Sequence, residues 1–295
     1  MSKRAEPPPA RVLRDGFRAL ARQVGDADQM VRAGDPEGIH DLRVAMRRTR
    51  SLLRTFRPLI DGHVVADTER LRAELRWAAG ELSPVRDLEV VYGELFAASA
   101  EESLPPSVEE RLARHRERTR RGAGQQVANL LESDRYARIL DDLDSRVEQV
   151  AWDDVTSDAT RERLRRDWRR LRRRAEAAES LGPGEDPEAA LHAVRKAAKR
   201  ARYAAEVLAP VHGKRAARMA AVAERVQDAL GEHRDTLLTR DLLHRLGTEE
   251  DAAEEAVFAF GRLYAREEQR GQESLFAYAG ARAELDRKKH RRWLR

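Results

Sequence analysis

The chain has 295 residues, enough for two domains or one large repeat, and its 41% hydrophobic content can build a core, which excludes a disordered chain. Charged residues make up 37%, with 57 basic against 52 acidic and a net charge of +5, as expected for helices laced with intrahelical ion pairs. Cysteine is absent, which excludes disulfides, thiolate nucleophiles and cysteine-ligated metals.

Residues 1–10, MSKRAEPPPA, lack the apolar core of a signal peptide, and no run approaches the roughly 18 apolar residues of a membrane span. The expectation is a soluble, cytoplasmic protein with a disordered tail over residues 1–9. From residue 10 onward apolar residues recur at helical intervals and no period-two strand is found, so the predicted class is all-α. A first basic helix carries Arg14, Arg18 and Arg22. It is followed by a turn at Asp35-Pro36-Glu37 and by a helix that begins near His40 and closes at Pro58. The next helix ends around LSPVRD (82–87), at Arg86-Asp87, and another break falls at SLPPS (103–107). Later breaks fall at LGPGEDP (181–187) and near Gly247.

These elements recur. Shifted by 151 residues, Leu13, Arg14, Phe17, Arg18, Leu20 and Arg22 fall on Leu164, Arg165, Trp168, Arg169, Leu171 and Arg173. After one more residue of offset, His40, Arg43, Arg47, Arg48, Arg50 and Pro58 fall on His192, Arg195, Lys199, Arg200, Arg202 and Pro210. The sequence therefore predicts a tandem duplication, with residues 10–152 as the first helical bundle and 153–295 as the second, related by a pseudo-twofold axis. The Asp-Pro-Glu turn has a mechanism in each copy: Asp caps free amides, Pro suits the first helical position, and Glu suits the positive end of the dipole.

Charge is segregated. The stretches 40–57, 161–174, 192–206 and 287–295 carry +5, +7, +4 and +6, leaving the rest of the chain at −17. Such concentration favours a polyanionic partner. At 100° per residue, Arg43, Arg47, Arg50 and Arg54 lie within about 60° of one another beside His40. They flank a seam of Leu42, Met46, Thr49, Leu53 and Phe56. In the second copy His192, Arg195, Lys199 and Arg202 repeat the stripe beside Val194, Ala198, Ala201, Ala205 and Leu208, while Glu206 replaces Arg54. A solvated helix face would intersperse acids at i+4 to relieve repulsion. Between His40 and Arg57 the only acid is Asp41, off the stripe. A rise of about 10.5 Å per seven residues makes each stripe a ladder suited to an extended anion. Arg14, Arg18 and Arg22, with Arg165, Arg169 and Arg173, are expected to widen it.

Other chemistries fare worse. No H-x-x-x-H pair or carboxylate cluster accompanies the histidines, so no metal or other cofactor is expected. His40-Asp41 has Ala193 at its second position in the other copy, which disfavours hydrolysis. The Arg86-Asp87 and Arg234-Asp235 pairs read as structural, and Trp77, Trp152, Trp168 and Trp293 as core. The terminus RKKHRRWLR fits either an anion-binding tail or a frayed helix end.

The segments HDLRVAMRRTRSLLRTF and LHAVRKAAKRARYAAE resemble the paired signatures of CHAD domains, the conserved-histidine α-helical domains, and LSPVRD resembles the segment following the first of them. The resemblance covers roughly residues 10–290. It implies two helical bundles around a basic central surface, noncatalytic binding of inorganic polyphosphate, and association with polyphosphate granules. Carried over to matching positions, the implied ligand set is His40, Arg43, Arg47, Arg50 and Arg54 with His192, Arg195, Lys199, Arg200 and Arg202. Many members also carry a CYTH domain, whose E-x-E-x-K strand signature is not found, so the chain reads as a stand-alone binding module. The alternative is a basic helical protein associated with nucleic acid, since any long phosphate chain meets the same charges.

Overall fold

The computed structural model describes residues 7–152, 155–249 and 253–294, and among them there is no strand. Of the expected tail, residues 1–6 lie outside the described residues, and helix α1 (Pro9–Arg32) starts at Pro9 with Pro in its first turn, where no amide is needed. Then come α2 (Gly38–Phe56), two short 3₁₀ turns, α3 (Val65–Glu81), α4 (Ser83–Glu101), α5 (Pro106–Glu132) and α6 (Asp134–Gln149). The expected boundary at 152/153 falls in the link to α7 (Ser157–Glu179), where residues 153 and 154 are not described. The rest is α8 (Pro187–Val207), α9 (Ala209–Gly247), α10 (Glu254–Leu285) and the single turn α11 (Lys288–Arg291). Each of the four predicted breaks separates two helices.

The helix starts show the local chemistry. Asp186 caps α8 by accepting from the amides of Glu188 and Ala189 at 2.9 and 3.2 Å. In the first copy the Asp35 carboxylate accepts from Glu37 N at 2.9 Å, and α2 begins later, at Gly38. The delay follows from close approach to α1: a Cβ on Gly38 would stand 2.7 Å from Val31 N and 2.9 Å from Met30 C. At the other end, the residue before a proline tends to leave the helical region, but Arg57 keeps φ −42°, ψ −44° ahead of Pro58. The break comes one residue earlier, at Phe56 (ψ 5°), and likewise at Leu208 (ψ 4°) before Pro210. Proline cannot donate to the carbonyl four residues back and its ring crowds that group, so the chain bends ahead of it.

Both predicted seams are interior. Leu42, Met46, Thr49, Leu53 and Phe56 of α2 and Val194, Ala198, Ala201, Ala205 and Leu208 of α8 are buried against Leu13 and Phe17 of α1 and Leu164, Trp168 and Leu171 of α7. Each fully buried Leu or Phe contributes about 1.5–3 kcal/mol by removal from water. A second core joins α4 and α5 to the facing ends of α9 and α10 through Tyr92, Leu95, Val108, Leu112, Leu243, Leu246, Phe260 and Leu263.

The correspondence between the halves is carried by α1–α2 and α7–α8, with α2 packed on α8. Beyond them the halves diverge. Ser83-Pro84 separates α3 from α4, whereas the matching Gly231-Glu232 leaves α9 unbroken through that region, its one non-helical residue being Gly213 at φ 58°. The expected helix end at the Arg-Asp pairs is corrected accordingly: Arg86-Asp87 lies in the first turn of α4 and Arg234-Asp235 in the middle of α9.

Trp152 and Trp168 are fully buried, while Trp77 and Trp293 are half-buried. Within the basic stretch, Leu294 and His290 are buried, and the ring of Trp293 lies 5.5 Å from that of His212. No helix among the described residues is long and apolar enough to cross a membrane.

Candidate polyanion-binding cleft

Where α2, α3, α7 and α8 converge they leave a cleft of about 480 Å³ whose lining contains no carboxylate among the described residues. Helix α2 supplies Arg47, Arg50 and Arg54; α8 supplies His192, Arg195, Lys196, Lys199 and Arg200; α3 and α7 add Arg72, Arg170 and Arg174. Of these ten lysines and arginines, Arg72 shares Glu69 with Arg57, and Arg200 is held by Asp167 at 2.7 Å. The other eight have no carboxylate within ion-pair distance among the described residues.

Burial sharpens this imbalance. Removal from water and the neighbouring Arg76, Arg72, Arg54 and Arg47 push the Arg50 guanidinium down to about 10, and its Nε is buried without a partner. Arg195 Nε is likewise buried and unpartnered, and burial holds that guanidinium below its ordinary range. Lys199 is the extreme case: burial, then Arg47, Arg195 and Arg234, push its ammonium down to about 6, against the weak opposing pull of Asp235. Burial also lowers His192, aided by Lys196 and Arg234, and lowers His40, aided by Arg86. Each shift records a group whose charged form burial and neighbouring positive charge disfavour.

The sequence-derived set divides clearly. Arg47, Arg50, Arg54, His192, Arg195, Lys199 and Arg200 are brought together in the cleft. Arg43 lies beyond its end, where its Nη2 donates to Ser83 Oγ at 3.1 Å and its Nη1 approaches Asp87 at 3.8 Å; His40 stands nearby, in the field of Arg86. Asp87 also approaches Arg234 at 3.9 Å, so one residue of each Arg-Asp pair meets the other between α4 and α9. Arg202 is turned away and bound to Glu206 and Glu224 at 2.7 Å each. Glu206 leaves with it, also holding Arg48, so it does not weaken the cleft as its position in the repeat implied. The cause is a difference in rolling: relative to its histidine, α8 presents a face roughly 60° further round than α2 does.

None of Arg14, Arg18, Arg22, Arg165, Arg169 and Arg173 lines the cleft. Arg18 pairs with Glu148 at 2.8 Å and Arg165 with Glu162, while Arg22, Arg169 and Arg173 face solvent. On α7 the cleft is reached from the opposite flank of the Leu164–Trp168–Leu171 seam, through Arg170 and Arg174. Those two, with Arg72 and Lys196, are the lining residues that sequence reasoning missed. The α7 seam was visible, but which flank meets α8 is a tertiary property.

Supporting groups fix the lining. Thr55 Oγ1 donates to buried Asp167 at 3.0 Å and accepts from Arg200 Nε at 3.2 Å, tying α2, α7 and α8 together beneath the cleft. Arg47 Nε donates to the Tyr203 hydroxyl at 3.0 Å, and the guanidinium groups of Arg47, Arg48 and Arg202 gather within 6 Å of that ring. No group of three or more potential metal ligands is found among the described residues.

An all-helical chain enclosing an acid-free basic cleft matches the CHAD domain model over residues 11–244, and the chain belongs to that family. It is 30% identical over 259 residues to two uncharacterized proteins of Mycobacterium tuberculosis, MT2285 of strain CDC 1551 / Oshkosh and Rv2226 of strain ATCC 25618 / H37Rv. The alignments cover 85% of this chain and 49% of each relative, so the chain spans about half the length of the curated relatives it matches. Among solved structures it is similar to PptA from Streptomyces chartreusis, with a TM-score of 0.75 at 24% identity over 93% of this chain and 99% of that one. It is also similar to the CHAD domain from the plant Ricinus communis, with a TM-score of 0.65 at 23% identity over 96% and 94% of the two chains. At these identities the likeness bears on the fold.

Proposed function

We propose that the chain binds inorganic polyphosphate in the α2–α3–α7–α8 cleft, without catalysing a reaction on it. The observation that carries this reading is the set of eight lining arginines and lysines that have no carboxylate within ion-pair distance among the described residues, two of them with a buried and unpartnered guanidinium Nε. Arginine forks bind phosphoryl oxygens bidentately, and each charge-assisted contact contributes about 1.5–3 kcal/mol. Arg47, Arg50 and Arg54 span about 10.5 Å along α2, so an extended anion meets several of them at once. The family is associated with polyphosphate in general, which agrees with this chemistry. Association with polyphosphate granules in the cytoplasm would follow from such binding.

Nucleic acid is the weaker reading. Single strands are held by stacking bases on aromatic rings, and the one aromatic residue lining the cleft, Tyr203, is 6% exposed beneath its guanidinium groups. The deciding experiment is a titration with polyphosphates of graded length at physiological salt, with DNA as competitor and orthophosphate release monitored. Long chains are expected to bind and to resist displacement by DNA, with no orthophosphate released. Equal displacement by DNA refutes the assignment, and steady release of orthophosphate refutes its noncatalytic part.

A further inference from the structure

We propose that Lys199 is a covalent modification site: its side-chain amine, standing unpaired in the cleft, is acylated by small acyl phosphates that dock their phosphoryl group on Arg47 and Arg195. The inference rests on the reading of the cleft as a phosphoryl-binding site, but on neither the length of the natural ligand nor its identity.

Among the described lysine side chains Lys199 is the one that is not exposed. It lines the cleft half-buried on α8 and makes no hydrogen bond or ion pair with another described residue. The charged groups acting on it are Arg47 from α2, Arg195 one turn earlier on α8, and Arg234 and Asp235 from α9. Asp235 is shared with Arg195 and Arg234, so it does not hold the ammonium. Burial among three guanidinium groups disfavours the ammonium and raises the share of free amine, the form that has a lone pair for attack. Lys196, one turn away on the same helix, is exposed at the rim and is the natural internal control.

The same guanidinium groups that disfavour the ammonium attract a phosphoryl dianion. An acyl phosphate docked there places its carbonyl carbon beside the amine. The Nζ lone pair forms the new N–C bond, the C–O bond to phosphorus breaks, and inorganic phosphate leaves with the bonding electrons, stabilised by Arg47 and Arg195. The proton lost from nitrogen passes to the departing phosphate. The products are an amide and orthophosphate, with no redox change. The amide can no longer be protonated, so modification removes a cation from the cleft.

The test is incubation of the whole protein with acetyl phosphate at pH 7.5, followed by peptide mapping by mass spectrometry. Lys199 is expected to react about tenfold faster than Lys196 or Lys214, through its larger share of free amine and the phosphoryl dock that those lysines lack. Labelling should slow below pH 6 and in excess orthophosphate. Arg47→Ala with Arg195→Ala should slow labelling by acetyl phosphate more than labelling by an uncharged acetylating ester, which senses the amine but not the phosphoryl dock and also reports on the fold of the variant. Equal rates at Lys196 and Lys199, or indifference to the two arginine substitutions, overturns the proposal. Long-chain polyphosphate binding is measured in parallel. Binding without selective labelling sinks this inference alone, whereas selective, orthophosphate-sensitive labelling without long-chain binding sinks the polyphosphate assignment alone.

Discussion

Binding of a polyanion to this cleft should take up a proton, and Lys199 is the group through which the effect can be measured. In the free protein its ammonium is pushed down to about 6 by burial and by Arg47, Arg195 and Arg234, with Asp235 opposing. A phosphate chain replaces lost water and offsets the surrounding positive charge, so the bound lysine returns toward its ordinary range. The charged form then binds more tightly than the neutral one, and affinity rises as pH falls through the window between the two values. Full restoration to about 10.4 would make binding about 50-fold tighter at pH 6 than at pH 8, with nearly one proton taken up at pH 8. His40 and His192, both lowered in the free protein, act in the same direction. Calorimetric titration at fixed ionic strength, in buffers of different ionisation enthalpy, gives affinity and proton uptake together. Lys199→Met should retain only the histidine part of the slope. Equal affinity at both pH values without proton uptake, or a full slope in Lys199→Met, would refute the reasoning.

The same shift acts on the unliganded fold. Unfolded Lys199 stays charged to about 10.4 whereas the folded residue loses its proton near 6, so the folded state binds fewer protons between these values and stability rises with pH. Thermal melts from pH 6.5 to 9 should show that rise flattened in Lys199→Met. Replacing Arg43, Arg47, Arg195 and Lys199 together by alanine should abolish long-chain binding with helicity retained by circular dichroism. The single change Arg47→Ala should make the log–log salt dependence of binding shallower by about 0.7 for each phosphate that Arg47 neutralises. Arg202→Ala should leave affinity unchanged in the same titration, because Arg202 is occupied by Glu206 and Glu224 outside the cleft. Asp167→Ala, which strands Arg200 and Thr55, should cost about 3–5 kcal/mol in urea unfolding.

Much of this arrangement was legible in the sequence because helical periodicity states which residues go inside. Both seams beside the basic stripes are buried, and the proline- and glycine-containing segments break the chain where expected. The stripe on α2 likewise predicted Arg47, Arg50 and Arg54 in the cleft. What the sequence did not carry was the roll of each helix about its axis. A repeat in register implies that equivalent residues face equivalent directions, yet α8 is rolled relative to α2, and Arg202 leaves the cleft while Lys196 enters. On α7 the two flanks of one seam are equally rich in arginine, and only packing against α8 selects Arg170 and Arg174 over Arg169 and Arg173. Arg72 had no counterpart in the repeat to draw attention to it.

The unbroken course of α9 beyond Gly213 has a mechanical meaning. Its first half contributes Met219, Val222, Val226 and Leu230 to the larger core, and its far end contributes Leu242, Leu243 and Leu246 to the smaller one. Arg234 and Asp235 occupy the stretch between, beside the cleft mouth. One stiff rod thus spans two packed bodies with charged side chains at its midpoint. A tilt at either extremity would be carried to the cleft mouth, a lever that the interrupted α3–α4 pair does not possess.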